Sequence, residues 1–411
     1  MAISKVGTLK PDTGIVIRSR FAGSSRNWAV AILTLTAVLM AASALWPMTP
    51  PDLPTVEVVV AASTSVQLGA TAAPETTVDE NPDLTLYRTV IARVAAGESY
   101  YPAIADLHRN GLFPLRPFIV FRMPTLAVVS ATLGMPVMRG VLMALLLAVT
   151  VAWWVRLAGA FSSPPRRIIA LVRVVFGLIF NAHPEVMVVH EVWAGLLLAL
   201  SWAVHRSDGH MVRWLPSVLL ALMAVLVRET ALPFVLLMGA FAAWSRRWLE
   251  VAAWGAVVAI FAVALGLHAN HIAVVTTLAD PTSSGWNSYG GWPFFVFAMR
   301  RMTQLLLLPT WLGAAVVPLI LLGWASWRSS TGLFGIMLFG GYGLVLMVLG
   351  RPENFYWALM IAPTFLLGLA FLPEALTDLA AATRQPTPAG AKPVAAQRRV
   401  RRSKLAHLAA R

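Results

Sequence analysis

The stretch Trp214-Leu-Pro-Ser-Val-Leu-Leu-Ala-Leu-Met-Ala-Val-Leu-Val-Arg228-Glu229-Thr230-Ala-Leu-Pro-Phe-Val-Leu-Leu-Met-Gly-Ala-Phe-Ala-Ala-Trp244 decides how often this chain crosses a membrane. A hydrocarbon core about 30 Å thick takes roughly 20 apolar residues per helical crossing. The stretch is too long for one ordinary span and short for two. Charge settles the choice. Arg206 and Arg213 precede it and Arg246 and Arg247 follow it, and basic residues near span ends favour the cytoplasm. Both flanks on one side require two crossings, with Arg228-Glu229-Thr230 between them on the outer side. Each half is then only about 21 Å long at roughly fourteen residues. The connection therefore lies below the outer surface, where Arg228 and Glu229 are tolerable beside each other or beside a water-filled cavity.

The rest of the chain supports the same solvent. Of 411 residues, 58% are hydrophobic and 12% charged, against roughly 25% charged in an average soluble domain. The expected fold is an all-α polytopic membrane protein of about ten transmembrane helices. Spans are expected near 28–46, 138–157, 167–182, 186–204, 213–227, 230–245, 250–268, 304–324, 332–349 and 355–373. The chain then divides into a basic cytoplasmic tail (1–27), a first span (28–47), a large periplasmic loop with interfacial helices (48–135), a bundle of nine further spans (136–373) and a basic tail (374–411). Small residues at Ala41-Ala42-Ser43-Ala44 resemble a signal-peptidase site, but the first span is expected to stay as an anchor.

On this topology 22 of the 32 Lys/Arg lie inside and 13 of the 18 Asp/Glu lie outside. Both termini are expected in the cytoplasm, and the membrane is expected to be the inner membrane of a bacterium. The net charge of +14 thus reflects sidedness and not nucleic-acid binding, since no basic stripe interleaved with aromatics marks a soluble segment. Absence of cysteine excludes disulfides and thiolate metal sites. The C-terminal run Arg398-Arg399-Val400-Arg401-Arg402-Ser403-Lys404 suits anionic cytoplasmic lipid.

The outer loop carries the most chemistry. In Asn81-Pro82-Asp83-Leu84-Thr85-Leu86-Tyr87, Asn81 can cap a helix that starts at Pro82 and stops at Gly97. Asp83 sits in its first turn, where the helix dipole favours the carboxylate. It can accept a proton from a hydroxyl, or simply stabilise the helix start. Downstream come Gly97-Glu98-Ser99-Tyr100-Tyr101-Pro102, then Arg122-Met123-Pro124-Thr125-Leu126 and a short helix ending at Gly134.

This run resembles the first outer loop of the GT-C class of membrane glycosyltransferases, which take sugars from polyprenyl-phosphate carriers. In that class an early acidic residue of the loop is catalytic, a "G…YY" stretch follows, and a proline-containing motif precedes the second span. The resemblance implies that Asp83 is catalytic and places Tyr101 near the substrate. It implies a polyprenyl-phosphate sugar as donor and a glycan, lipid or protein as acceptor; a divalent metal is possible but has little support in the sequence. Arg-Met-Pro-Thr-Leu stands where the class has a double proline, so the resemblance does not extend to one subfamily.

Other residues fall on the same side. His183-Pro184-Glu185 and His190-Glu191 occupy the mouth of a span, and Glu191 is deep enough to need a cavity or a partner. A departing phosphate gains negative charge that arginine can neutralise. The outer arginines Arg122, Arg228, Arg300, Arg301 and Arg351 are the candidates, with Arg300, Arg301 and Arg351 favoured. The aromatic segment before Arg300 suits a helix lying among headgroups, although any one of these arginines could merely anchor a helix end. His268 and His271, at i and i+3, could face one metal ion, but no H-E-x-x-H or D-x-D pattern joins them. Two other readings fit the same charges: a flippase-like permease for a lipid-linked or anionic solute, and a catalytically silent relative serving as an assembly partner. No second half resembling the first, the usual mark of a transporter, is visible.

Overall fold

The computed structural model describes residues 19–48, 82–206, 213–286 and 288–385. Most of both basic tails, and the linker that ends in the expected cap Asn81, lie outside the described residues. The chain begins with α1 (Arg26–Leu45), followed by the shorter α2 (Pro82–Ala95), α3 (Tyr100–Asn110) and α4 (Thr125–Leu133). Then come α5 (Met135–Leu157), α6 (Pro164–Ile179), α7 (His190–Val204), α8 (Leu215–Val227) and α9 (Leu232–Trp244). The second half holds α10 (Trp248–Val275), α11 (Gly291–Arg301), α12 (Thr310–Ser326) and α13 (Ser330–Leu349). A 3-10 stretch Pro352–Met360, the single turn α14 (Ala362–Phe365), a second 3-10 stretch Leu366–Ala370 and α15 (Leu372–Thr383) complete it.

Four helices, α1, α5, α10 and α13, are long and apolar enough to cross a membrane, and α14 with its 3-10 extension plus α15 makes a fifth if that bent pair is one span. Shorter apolar helices, among them α7, α8, α9 and α12, accompany them. Leu147, Val151, Ile168, Leu219, Met223, Ile260, Val263 and Leu267 are exposed on the helix surfaces. A water-facing protein rarely leaves so much large apolar surface uncovered. The chain is a helical bundle of membrane type.

Local chemistry explains most boundaries. Proline stands in the first turn of α5, α6, α8 and α9, where its missing N–H costs nothing. Gly134 ends α4 and opens α5 at φ 79°, a conformation that β-carbon sterics deny most residues. The break between α8 and α9 falls where the charges place it: Arg228 is extended, and Glu229–Ala231 form one 3-10 turn. Three expected spans need correction. The stretch 304–324 becomes a 3-10 turn, Gln304–Leu307, then a helix that starts only after Pro309. In 186–204, the part before His190 is 3-10. The run 355–373 is a chain of short helical pieces with a 46° bend before α15, interrupted at Pro363 and Pro373, whose rings and missing N–H groups prevent a preceding α-helix from continuing through them.

Helix α7 is the axis of the bundle, buried from His190 to Ala199. It packs against α5, α8 and the 352–360 stretch. Aromatic side chains fill the layer nearest its C-terminal half. Trp202 meets Trp153 edge-on at 5.1 Å and stacks on Trp324 at 5.2 Å. The indole N–H groups of Trp153 and Trp324 donate to the carbonyls of Ala199 and Phe365. Gly195 brings α7 onto the backbone so closely that a β-carbon there would collide with the Leu359 carbonyl, whereas Gly255 on α10 faces open space. Gly195→Ala should therefore lower the thermal unfolding midpoint in detergent, by about 1–3 kcal/mol in stability terms. Gly255→Ala should be neutral or stabilising, because alanine is the better helix former by about 1 kcal/mol. Equal midpoints for the two variants would contradict this packing.

Polar contacts gather in two sets. One joins Ser19 to Asp378, Arg20 to the Trp327 carbonyl, Arg156 to Thr331, Arg166 to Glu374, and His205 and Arg247 to Glu250. The other joins Arg88 to Glu185, Arg93 to Glu98 and Asp106, Arg109 to Asp280, Arg228 to Glu191, and Arg351 to Glu353. The first set contains residues expected inside, the second residues expected outside.

Candidate functional site

A cavity of about 880 Å³ takes Arg228, Arg351 and Glu353 of the second set into its lining. Its floor begins with α2, which packs on α3 and α4 through Leu86, Val90, Ile91, Tyr100, Ala103 and Ile104. Asp83 and Tyr87, four residues apart, share one helix face, and both line the cavity. The Tyr100 hydroxyl donates to the Arg122 carbonyl at 2.7 Å. That bond fixes the backbone from which Arg122 reaches in to donate to the Tyr356 hydroxyl at 3.1 Å.

The opposite wall comes from the α8–α9 break and the segment after α13. Arg228 is 1% exposed and donates from Nε to Glu191 Oε1 at 2.6 Å, while its Nη1 pairs with Glu229. Arg351 donates to Ser284 Oγ at 2.7 Å and to the Ser284 carbonyl at 3.2 Å. That ties the cavity mouth to the loop after α10. The loop is itself clamped: Leu115 N–H donates to the Pro281 carbonyl at 2.9 Å, and Arg109 forks onto Asp280 at 3.0 and 2.9 Å.

Asp83, Arg122, Arg228 and Arg351 thus meet in one space. Glu191 does not line it. It stands behind Arg228, 1% exposed, as the counter-charge that holds the guanidinium. Arg300 and Arg301 also do not line the cavity. Their helix α11 is not a surface helix: Phe294 to Met299 are all buried between α12, α13 and the 352–360 stretch. The aromatic run that suggested headgroups instead fills the core, carrying Arg301 over the Phe355 ring at 5.7 Å and the Arg300 side chain alongside Gly313. Tyr101 faces away as well, its hydroxyl 3.3 Å from His268 Nδ1 and its ring stacked on His271 at 4.6 Å. The weak metal pair therefore contacts a tyrosine, and among the described residues no three His, Cys, Asp or Glu gather as a metal site. Glu185 pairs with Arg88.

Electrostatics reverse one expectation. Burial pushes the Asp83 carboxyl above its ordinary range, Glu191 and Glu353 push the same way, and Arg122 opposes them. The dipole at a helix start is outweighed by desolvation. The raised value suits a base, since proton transfer is most effective when the pKa approaches the working pH. Burial also raises Tyr87, which stays a neutral phenol. His108, another lining residue, is lowered to about 4 by burial and adds no charge near neutrality.

Several lining residues escaped the sequence reading: Thr230, Ser283, Ser284, Trp286, Asn354 and Trp357. Arg122 Nε, Thr230 Oγ1 and Trp357 Nε1 are buried without a protein partner, and such groups are costly unless a ligand or water meets them. Tyr356 stands five residues after Arg351, but nothing in spacing pairs it with Arg122, 234 residues away. No family model, curated protein or solved structure matches the chain.

Proposed function

We propose that the chain is an integral-membrane glycosyltransferase of the GT-C kind, moving a sugar from a polyprenyl-phosphate carrier to an acceptor hydroxyl. The observation that carries this reading is one cavity holding a carboxylate, Asp83, together with Arg122, Arg228 and Arg351. In the proposed step Asp83 takes the proton of the acceptor hydroxyl. The hydroxyl oxygen then bonds to the anomeric carbon as the bond from that carbon to the phosphate oxygen breaks. Attack from the opposite face inverts the centre. The electron pair leaves with the phosphate, whose charge the arginines neutralise.

The same reading places the protein in a bacterial inner membrane with ten crossings, cytoplasmic termini and the cavity on the periplasmic side. Its support is the separation of polar contacts into two sets that match the expected inner and outer residues, with the basic excess on the inner one. The test is transfer in liposomes, with purified protein offered a panel of radiolabelled polyprenyl-phosphate sugars and a mixture of glycan and lipid acceptors. Product formation from one donor class is expected. Carrier-linked sugar crossing the bilayer unchanged, with no transfer from any donor, would instead establish a permease.

A further inference from the structure

A second cavity of about 270 Å³ lies in the other set of polar contacts and is lined by Arg156, His205, Arg206, Ser329 and Thr331. It is built from the ends of α5 and α7 and the start of α13. Arg156 is braced in place: Nη1 donates to the His205 carbonyl at 2.9 Å and Nη2 to Thr331 Oγ1 at 2.9 Å. Its Nε is buried without a protein partner. Because Thr331 accepts from Arg156, its own hydroxyl proton is directed elsewhere, and it is a lining group. Ser329 caps α13 by accepting from the Gly332 N–H at 2.9 Å, which sets a helix N-terminus beside the two arginines.

Among the described residues the lining contains no carboxylate. Glu250, which pairs with the lining residue His205 at 2.8 Å, is further held by Arg247 at 2.5 Å and Trp254 at 3.2 Å. Two guanidinium groups, a helix start and a hydroxyl donor make an anion site. Its position, at the end richer in basic residues and beside the apolar surface of α5, is where anionic headgroups collect.

We propose that this cavity binds a phosphate group, carried by the headgroup of an anionic lipid of the cytoplasmic leaflet. The site is separate from the Asp83 cavity and does not depend on the reaction assigned there. The test uses the purified full chain in neutral detergent, following thermal unfolding and lipids retained in native mass spectrometry. Phosphatidylglycerol, phosphatidylcholine and inorganic phosphate are the added probes. Arg206→Ala is the main variant and Thr331→Val the second, since Arg156 braces the fold and is left intact. Phosphatidylglycerol is expected to raise the midpoint and stay bound, with about tenfold weaker retention after loss of one charge-assisted contact in Arg206→Ala. Equal stabilisation by inorganic phosphate alone, lost in Arg206→Ala, would assign the phosphate to a free anion and overturn the lipid source. Equal retention of phosphatidylcholine, or retention unchanged in both variants, would overturn the site.

Discussion

Asp83→Asn is expected to reduce transfer by about 10²–10⁴-fold, the usual contribution of a positioned base, while leaving the unfolding midpoint unchanged or slightly higher. The sign of the stability effect follows from the raised pKa. A carboxyl whose folded value lies above its unfolded one is favoured by folding in its protonated form. Folding therefore loses free energy as pH climbs from the unfolded value through the folded one, and the charge is a net cost above that window. Asparagine is nearly isosteric and removes the cost with the function. The acid limb of the wild-type rate profile should turn above the ordinary carboxylate range. Arg122→Met should move that limb further up, because Arg122 is the group that pulls Asp83 down. An Asp83→Asn protein as active as wild type would end the proposed mechanism. An acid limb that ignores Arg122 would detach the limb from Asp83.

How much of this could be read from the sequence depends on the range of the interaction. The α8–α9 break is a local event, written in the charges on either side of Trp214–Trp244 and in Arg228-Glu229-Thr230, and the structure breaks the helix at Arg228. The end of α4 at Gly134 follows likewise from one or two residues. Arg300 and Arg301 lie outside the cavity on a buried helix, and hydropathy cannot distinguish an aromatic helix lying in headgroups from one buried among other helices. That choice rests on what α12, α13 and 352–360 offer it, which is tertiary. Glu191 was legible as a costly buried acid, but its partner lies 37 residues on, so spacing gave the need for a counter-charge and not its identity. Trp357 and Thr230 carry no titratable group and no motif. Only the cavity makes them visible.

The Arg228–Glu191 pair should prove the most consequential contact in the bundle, and for two separable reasons. Both side chains are 1% exposed, and Nε and Oε1 are 2.6 Å apart. Arg228→Ala strands Glu191 at that depth, and breaking a buried pair from one side costs about 3–5 kcal/mol, a large share of the roughly 5–15 kcal/mol that stabilises a typical fold. Low yield and a sharply lower unfolding midpoint are expected. Glu191→Gln should be milder, since Arg228 keeps Glu229 as a counter-ion and the amide oxygen can still accept from Nε. The double replacement Arg228→Met with Glu191→Leu, made in a Glu229→Gln background so that no carboxylate of the cluster is stranded, removes the desolvation costs together, and apolar substitution of a whole buried ion cluster is often neutral or stabilising. That protein should recover its midpoint yet show no transfer, because the cavity has lost one of the cations facing Asp83. A stable Arg228→Ala protein would remove the structural role, and a stable, active double variant would remove Arg228 from the chemistry. The two measurements together separate a charge kept for the fold from a charge kept for the phosphate.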